Sequence, residues 1–441
     1  MSIQVLRALK NAWASVPRAA LGNLLAKLLI VGLGLGITVL VARQGPRVQG
    51  AFALFVAVES AMLTLFSGLG LWLARQMSRQ LAGQAVHARP MLRSVLRAAL
   101  ALGLVASAVL LAVSWWADKM PYAQLWLLAL AAPFLLLVPT ATGLWLGQGR
   151  MWPLNAAQVA APASVLSGLA VAWWFSQGEG RHTSTVLVVL MAWVSGKSLV
   201  AVLTAIYALH DADRRDEGIV VNQAPTVWWQ DWRFVATIGV TNVVSLLNYR
   251  ASLFLVERFQ GLGAVGTYSV AVTVAELLWL LSQSVTVSAY ARIGHPDVRI
   301  ASSMTVQAIR INVLATVLAA PILLGLAWWA LPLVMGPAYA ESVMPLAALL
   351  PGVAAYAAAS SLSAFYTNHL GRPHLSGGIA GLSLLVSFGL GWVLVPEMGA
   401  LGAGVASSTG YIVAIVVAYG VFLRQAGLPV RALWTTALTR M

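Results

Sequence analysis

The sequence predicts an all-α integral membrane protein, with twelve transmembrane helices arranged as two six-helix halves in parallel repeat around a central cavity. Three observations predict it. The 441 residues are 60% apolar and only 9% charged, and their mean hydropathy is +0.83, far from the balance of a water-soluble domain. Twelve windows are long and apolar enough to cross a hydrocarbon core of about 30 Å, which takes about 20 helical residues. Segments of the first half also recur in the second.

In chain order, residues 1–19 contain "IQVLRALKNAW", where Leu6, Leu9 and Trp13 share one helical face and Arg7 and Lys10 point elsewhere. Such an amphipathic segment suits a helix lying on the membrane surface. Spans one to six are expected at 20–42, 50–74, 92–116, 122–147, 151–175 and 183–209. Span one is too long for a signal-peptide core and lacks a small-residue cleavage site, so it reads as a helix of the mature chain. The charged "HDADRRDEG" opens a cytoplasmic linker at 210–231. Spans seven to twelve follow at 232–256, 267–291, 309–331, 342–370, 373–395 and 400–423, and a basic cytoplasmic tail at 424–441 ends the chain. The two halves are therefore 20–209 and 232–423.

Lysine and arginine set the orientation. With the N-terminus in the cytoplasm, nineteen of them fall on the cytoplasmic side and five on the other, so both termini are expected to be cytoplasmic. The net charge of +14 and the eighteen tryptophans suit contact with anionic lipid and indole anchors at the interfaces. No clustered basic surface on a soluble fold points to nucleic acid. Without cysteine there is no disulfide framework and no thiolate chemistry. The six histidines show no metal-ligand spacing, and neither a metal nor another cofactor is expected. No serine, histidine and acid constellation suggests hydrolysis, and the outer loops are too short to hold catalytic groups, so the chain does not read as an enzyme. The "GLGLG" at 32–36 lies inside a span with no strand before it and reads as close helix packing.

A linker near the midpoint invites a search for duplication. "GPRVQGAFALFVAVES" from Gly45 aligns without gaps on "GLGAVGTYSVAVTVAE" from Gly261, pairing Gly45 with Gly261, Gly50 with Gly266 and Phe52 with Tyr268. "LGQGRMWPLNA" corresponds to "TNHLGRPHLSG", and Trp115-Trp116 to Trp328-Trp329. Six spans per half is an even number, so the halves share one orientation, as in parallel-repeat transporters.

Five charged residues lie well inside the spans: Lys27, Glu59, Lys197, Arg250 and Glu276. An ionised group there is expensive and marks a cavity or a partner. Four of the five fall on spans one, two, seven and eight. At about 1.5 Å of rise per residue, Arg250 and Glu276 come to within about 4 Å of the same depth, which makes a pair feasible. Glu59 and Glu276, one position apart in the alignment, are the candidates for ion or proton coupling, because a buried carboxyl holds its proton more tightly. Lys27, Lys197 and Arg250 are candidate substrate cations. Asn248 and Tyr249, with Tyr268, Tyr290, Tyr356 and Tyr366, offer hydrogen bonds and ring faces to a sugar, although tyrosines pack more often than they bind.

"GLGAVGTYSVA", "VMGPAYAES" after span nine, "NHLGRPH" after span ten and "VPEMGALGAGVASS" entering span twelve resemble the polysaccharide transporters of the multidrug/oligosaccharidyl-lipid/polysaccharide (MOP) exporter superfamily. The O-antigen and exopolysaccharide flippases are the nearest branch, and the likeness runs over residues 20–423. The resemblance implies movement of undecaprenyl-diphosphate-linked oligosaccharide across the bacterial inner membrane, for lipopolysaccharide or other surface polysaccharide biosynthesis. It implies alternating access, a cationic central cavity lined mainly by spans one, two, seven and eight, and Lys27 and Arg250 meeting the pyrophosphate or acidic sugars. Polysaccharide assembly proteins are its expected protein partners. The same superfamily contains cation-coupled exporters, so a multidrug or small-solute antiporter is the alternative.

Overall fold

The structure, a computed structural model, describes residues 18–81, 87–176, 185–216 and 227–433. The amphipathic segment expected before residue 18, most of the linker's centre and the end of the basic tail lie outside the described residues. Among those described, every regular element is a helix. Ten helical segments are long and apolar enough to cross a membrane, and two of them, Trp228–Tyr290 and Pro373–Ala426, run to 63 and 54 residues. Each of these two leaves helical geometry at a glycine, Gly261 (φ 78°) or Gly399 (φ 59°). Positive φ is open to glycine without a steric penalty, so each long segment turns there and makes two crossings. The described residues thus contain twelve.

The helices are α1 (Arg18–Ala42), α2 (Pro46–Leu65), α3 (Gly68–Leu81), α4 (Ala88–Trp116), α5 (Leu125–Leu135), α6 (Leu137–Gly147), α7 (Met151–Ser176) and α8 (Thr185–Asp216). They continue as α9 (Trp232–Glu276), α10 (Leu278–Ile293), α11 (Val298–Met335), α12 (Val343–Tyr356), α13 (Ala359–Ala364) and α14 (Pro373–Ala426). Four expected spans are interrupted, the eighth by a single turn residue, Leu277, between α9 and α10. The second, expected at 50–74, is divided between α2 and α3, with a turn at Phe66 and Ser67. The fourth bends between α5 and α6, just after Pro133. A proline inside a helix leaves the carbonyl four residues back without its donor. The Ser107 hydroxyl of α4 reaches that carbonyl, on Ala129, as expected where no water can satisfy it. The tenth breaks between α12 and α13 and ends in a wide turn at Phe365–His369.

The described residues pack as two compact units, those within Met1–Thr38 and Met62–Gly239 and those within Val39–Ala61 and Val240–Met441. In the first, Leu69, Trp72, Leu73 and Met77 repeat at helical spacing along α3 and bury against Leu92, Val95 and Ala99 of α4 and Leu144 and Trp145 of α6. Both buried indoles keep a hydrogen bond: Trp72 donates to Asp231 at 2.8 Å and Trp145 to Asp211 at 3.1 Å.

In the second unit the matched glycines of the repeat meet. A Cβ on Gly50 would lie 2.0 Å from the Leu262 carbonyl oxygen, and one on Gly266 would lie 2.0 Å from that of Pro46. No other residue allows backbones this close, which is how small residues join membrane helices. Around this contact the core gathers Leu54 of α2, Leu253, Val256, Tyr268 and Val272 of α9, and Leu346 and Val353 of α12.

Candidate functional site

The turn at Gly261 brings the two arms of α9 together, so that side chains 16 to 26 residues apart meet. Arg250 Nη2 on the first arm donates to Glu276 Oε2 on the second at 3.1 Å. Both side chains are half-buried, at 30% and 25% exposure, so the pair is shielded without being sealed.

Aromatic rings gather beside Glu276. The Tyr249 centroid lies 4.9 Å from that of Trp279, 6.1 Å from Tyr356 and 6.4 Å from Tyr411. Tyr356 and Tyr411 are 4.9 Å apart, and tilted or edge-on arrangements predominate, the geometry that ring quadrupoles favour. Hydrogen bonds lock the box. Asn248 donates to the Tyr356 hydroxyl at 3.4 Å, and the Tyr411 hydroxyl donates to the Asn248 carbonyl at 3.5 Å. Tyr268, wholly buried, donates to Ser252 at 3.1 Å. Tyr249, Tyr268, Glu276, Trp279 and Tyr411 line one small gap together.

Beside the box opens a cavity of about 260 Å³ that shares Tyr249, Trp279 and Tyr356 with it. Its polar wall is neutral: Ser245, Ser282, Gln283, Ser360, Ser363 and Ser376. The Trp279 indole nitrogen and the Ser282 and Ser376 hydroxyls are buried without a hydrogen-bond partner. A buried group left unpaired costs about 1–3 kcal/mol, and three on one wall mark a place where a polar ligand or water completes the bonding. Ser360 is held from behind, because Thr286 contacts its hydroxyl at 2.7 Å and Asn312 donates to Thr286 at 3.2 Å.

The structure therefore brings together four of the seven expected site residues: Asn248, Tyr249, Arg250 and Glu276. Glu59 belongs to the same unit and is wholly buried. Lys27 and Lys197 belong to the other unit. There Lys27 is exposed, and the Lys197 ammonium sits 4.5 Å above the Trp193 ring, a cation–π contact. Trp279, Tyr411 and the serine wall were not anticipated from the sequence. The "SSLS" at 360–363 was the available signal, a polar run in the middle of an apolar span. No group of three or more His, Asp or Glu able to hold a metal ion occurs among the described residues.

No protein-family model and no curated protein sequence matches the chain. Solved structures do match. An inward-facing multidrug-resistance MATE-family transporter of the MOP superfamily superposes with a TM-score of 0.69 at 15% identity, over 93% of this chain and 95% of that one. The lipid II flippase MurJ, in an inward closed conformation, gives 0.73 at 13% identity, over 93% and 88%. A MOP-superfamily transporter from Pyrococcus furiosus, described as having a binding pocket of reversed polarity, gives 0.64 at 16%, over 95% and 96%. The chain has the fold of the MOP-superfamily transporters, a multi-pass membrane fold of two six-helix halves.

Proposed function

We propose that this protein is a flippase for lipid-linked oligosaccharide, with an undecaprenyl diphosphate as the lipid carrier and export toward the cell surface as the purpose. One observation carries the reading: a half-buried arginine is held by a carboxylate, Glu276, that lines a small gap with Tyr249 and Trp279, and those two rings also wall a cavity bearing unpaired hydroxyls. A guanidinium has five N–H donors, and Glu276 engages it through Nη2. The remaining donors suit phosphate oxygens, which Arg binds through paired, charge-assisted hydrogen bonds. Sugars carry apolar C–H faces and polar hydroxyl edges, and the Trp279 and Tyr249 rings with the serine wall complement both.

In this reading Arg250 lowers the cost of bringing a diphosphate into a low-dielectric interior. The apolar carrier stays in lipid, and the site opens alternately to the two sides. Glu59 or Glu276 takes up the coupling ion or proton. No bond in the cargo is broken. The relatives of similar fold that bear flippase and multidrug-transporter names support transport as the class of activity.

A second reading has one feature in its favour: rings grouped round a carboxylate, here Glu276, also suit an organic cation. That reading makes the chain a cation-coupled multidrug antiporter. The two separate in a vesicle assay. Purified protein reconstituted with a fluorescent undecaprenyl-diphosphate oligosaccharide is expected to move it between leaflets, with a cationic dye left untouched. Dye transport without glycan translocation would overturn the flippase reading.

A further inference from the structure

The first unit carries an open groove of about 600 Å³, far along the chain from the aromatic box and not used by the proposed transport chemistry. Arg89, Arg93 and Arg97 of α4 form one wall, and Trp228 and Trp229 stand opposite. At 100° per residue the three arginines fall on one stripe of the helix, spread over about 12 Å of its length. They are not equivalent. Arg89 pairs with Asp213, whereas Arg93 and Arg97 are exposed and have no hydrogen bond or ion pair among the described residues.

The tryptophans are held in place. The turn Trp228–Asp231 is fixed by the bond from Trp72 to Asp231. Trp228 packs partly into the core beneath, with Trp229 edge-on to it at 6.2 Å and 56% exposed. The stripe itself continues past the arginines as Leu100, Leu104 and Leu111, which are 38%, 63% and 46% exposed. Those leucines lie on a helix long and apolar enough to cross a membrane.

We propose that this groove binds an anionic phospholipid, with its phosphate between Arg93 and Arg97 and an acyl chain along Leu100, Leu104 and Leu111. The charge selects an anion, the indoles suit the headgroup level of a bilayer, and the bare leucine stripe selects a ligand with a hydrocarbon tail. A free phosphate or an acidic protein segment would match only the first of these features. The proposal is independent of the cargo reading.

Native mass spectrometry of the full-length protein, purified in detergent and exposed to equimolar phosphatidylglycerol and phosphatidylcholine, tests it. The wild type is expected to retain phosphatidylglycerol selectively. Each basic residue near an anionic surface is worth about fivefold in binding, so Arg93→Gln with Arg97→Gln should reduce that preference by about 25-fold. The double lysine variant should keep most of it. Arg292→Gln with Arg299→Gln, two exposed basic positions elsewhere, should leave it in place. Unchanged retention in the Arg93/Arg97 glutamine variant, or equal loss in the Arg292/Arg299 control, would overturn the site. Displacement of the lipid by equimolar inorganic phosphate would overturn the role of the leucine stripe.

Discussion

The two units place their ion pairs differently. In the first, Arg150 meets Asp211, Arg89 meets Asp213 and His87 approaches Asp216. The acids occupy the last turns of α8, and the bases stand at or just before the starts of α7 and α4. The Asp216 carboxylate also accepts from the free backbone N–H groups of Ala88 and Arg89, at 3.0 and 2.8 Å, which are two of the unpaired donors that open any helix. In the second unit, Arg250 and Glu276 meet among aromatic rings, away from the ends of the crossings. Charges at helix ends join helices where water can still reach. A shielded pair whose carboxylate lines an aromatic gap is poorly explained by stability, since shielded ion pairs seldom outperform apolar packing.

That contrast yields its sharpest test at Arg250. Arg250→Ala should reduce glycan translocation by about 10- to 100-fold, the equivalent of the ~1.5–3 kcal/mol that a hydrogen bond to a charged group contributes. The variant protein should still reach the membrane. Arg150→Ala should instead lower thermal stability in detergent while translocation per folded molecule stays near wild type. Equal transport defects in the two variants would erase the distinction between the units.

Glu276→Gln comes next. Removing the carboxylate leaves Arg250 without its counter-charge, and translocation should continue but lose its response to an imposed proton gradient. A full response in the variant would take Glu276 out of the coupling role and leave Glu59 as the remaining carboxyl candidate. Trp279→Ala is expected to act on affinity: loss of one ring from the box should weaken half-saturation by about fivefold, in keeping with the ~0.5–1.5 kcal/mol of an aromatic contact. Maximal rate should change less. An unchanged half-saturation would place the glycan elsewhere than on this ring.

Much of this architecture was legible in the sequence. Hydropathy marks the crossings, since each must bury its own backbone hydrogen bonds in an apolar run. The repeat pointed to Gly50 and Gly266 as equivalent positions, and the structure shows why both are glycine: their backbones touch. Arg250 and Glu276 stood out because a charge in an apolar run is rare and costly. The box was not legible. Tyr249, Trp279, Tyr356 and Tyr411 come from four helices and up to 162 residues of separation, and no local pattern tells a ring that faces a cavity from one that faces lipid. The interruptions of spans two and ten were hidden for a related reason, because no proline or charge stands at either break, which falls at Phe66 and Ser67 in one and at Ala357 and Ala358 in the other. Pro133 was a visible sign of the bend in span four, but its partner Ser107 is a tertiary contact.

The smallest expected effect on transport, and a clean one on stability, is at Asp211. Burial pushes this carboxyl up, but hydrogen bonds from Arg150 and Trp145 and the charges of Arg150 and Arg215 outweigh burial and hold it below the ordinary carboxylate range. A carboxyl whose pKa is lower folded than unfolded stabilises the fold fully above its unfolded value, about 3.9 for Asp. That contribution is lost as pH falls through the lower folded value. Asp211→Asn should therefore cost about 2 kcal/mol at neutral pH, the size of a charge-assisted hydrogen bond in a shielded site. The gap in melting temperature between wild type and variant should be constant from neutrality down to about pH 5 and close below about pH 4. A gap that persisted undiminished into strong acid would mean that Asp211 acts through shape and neutral hydrogen bonding, and that the clasp at the helix ends owes little to charge.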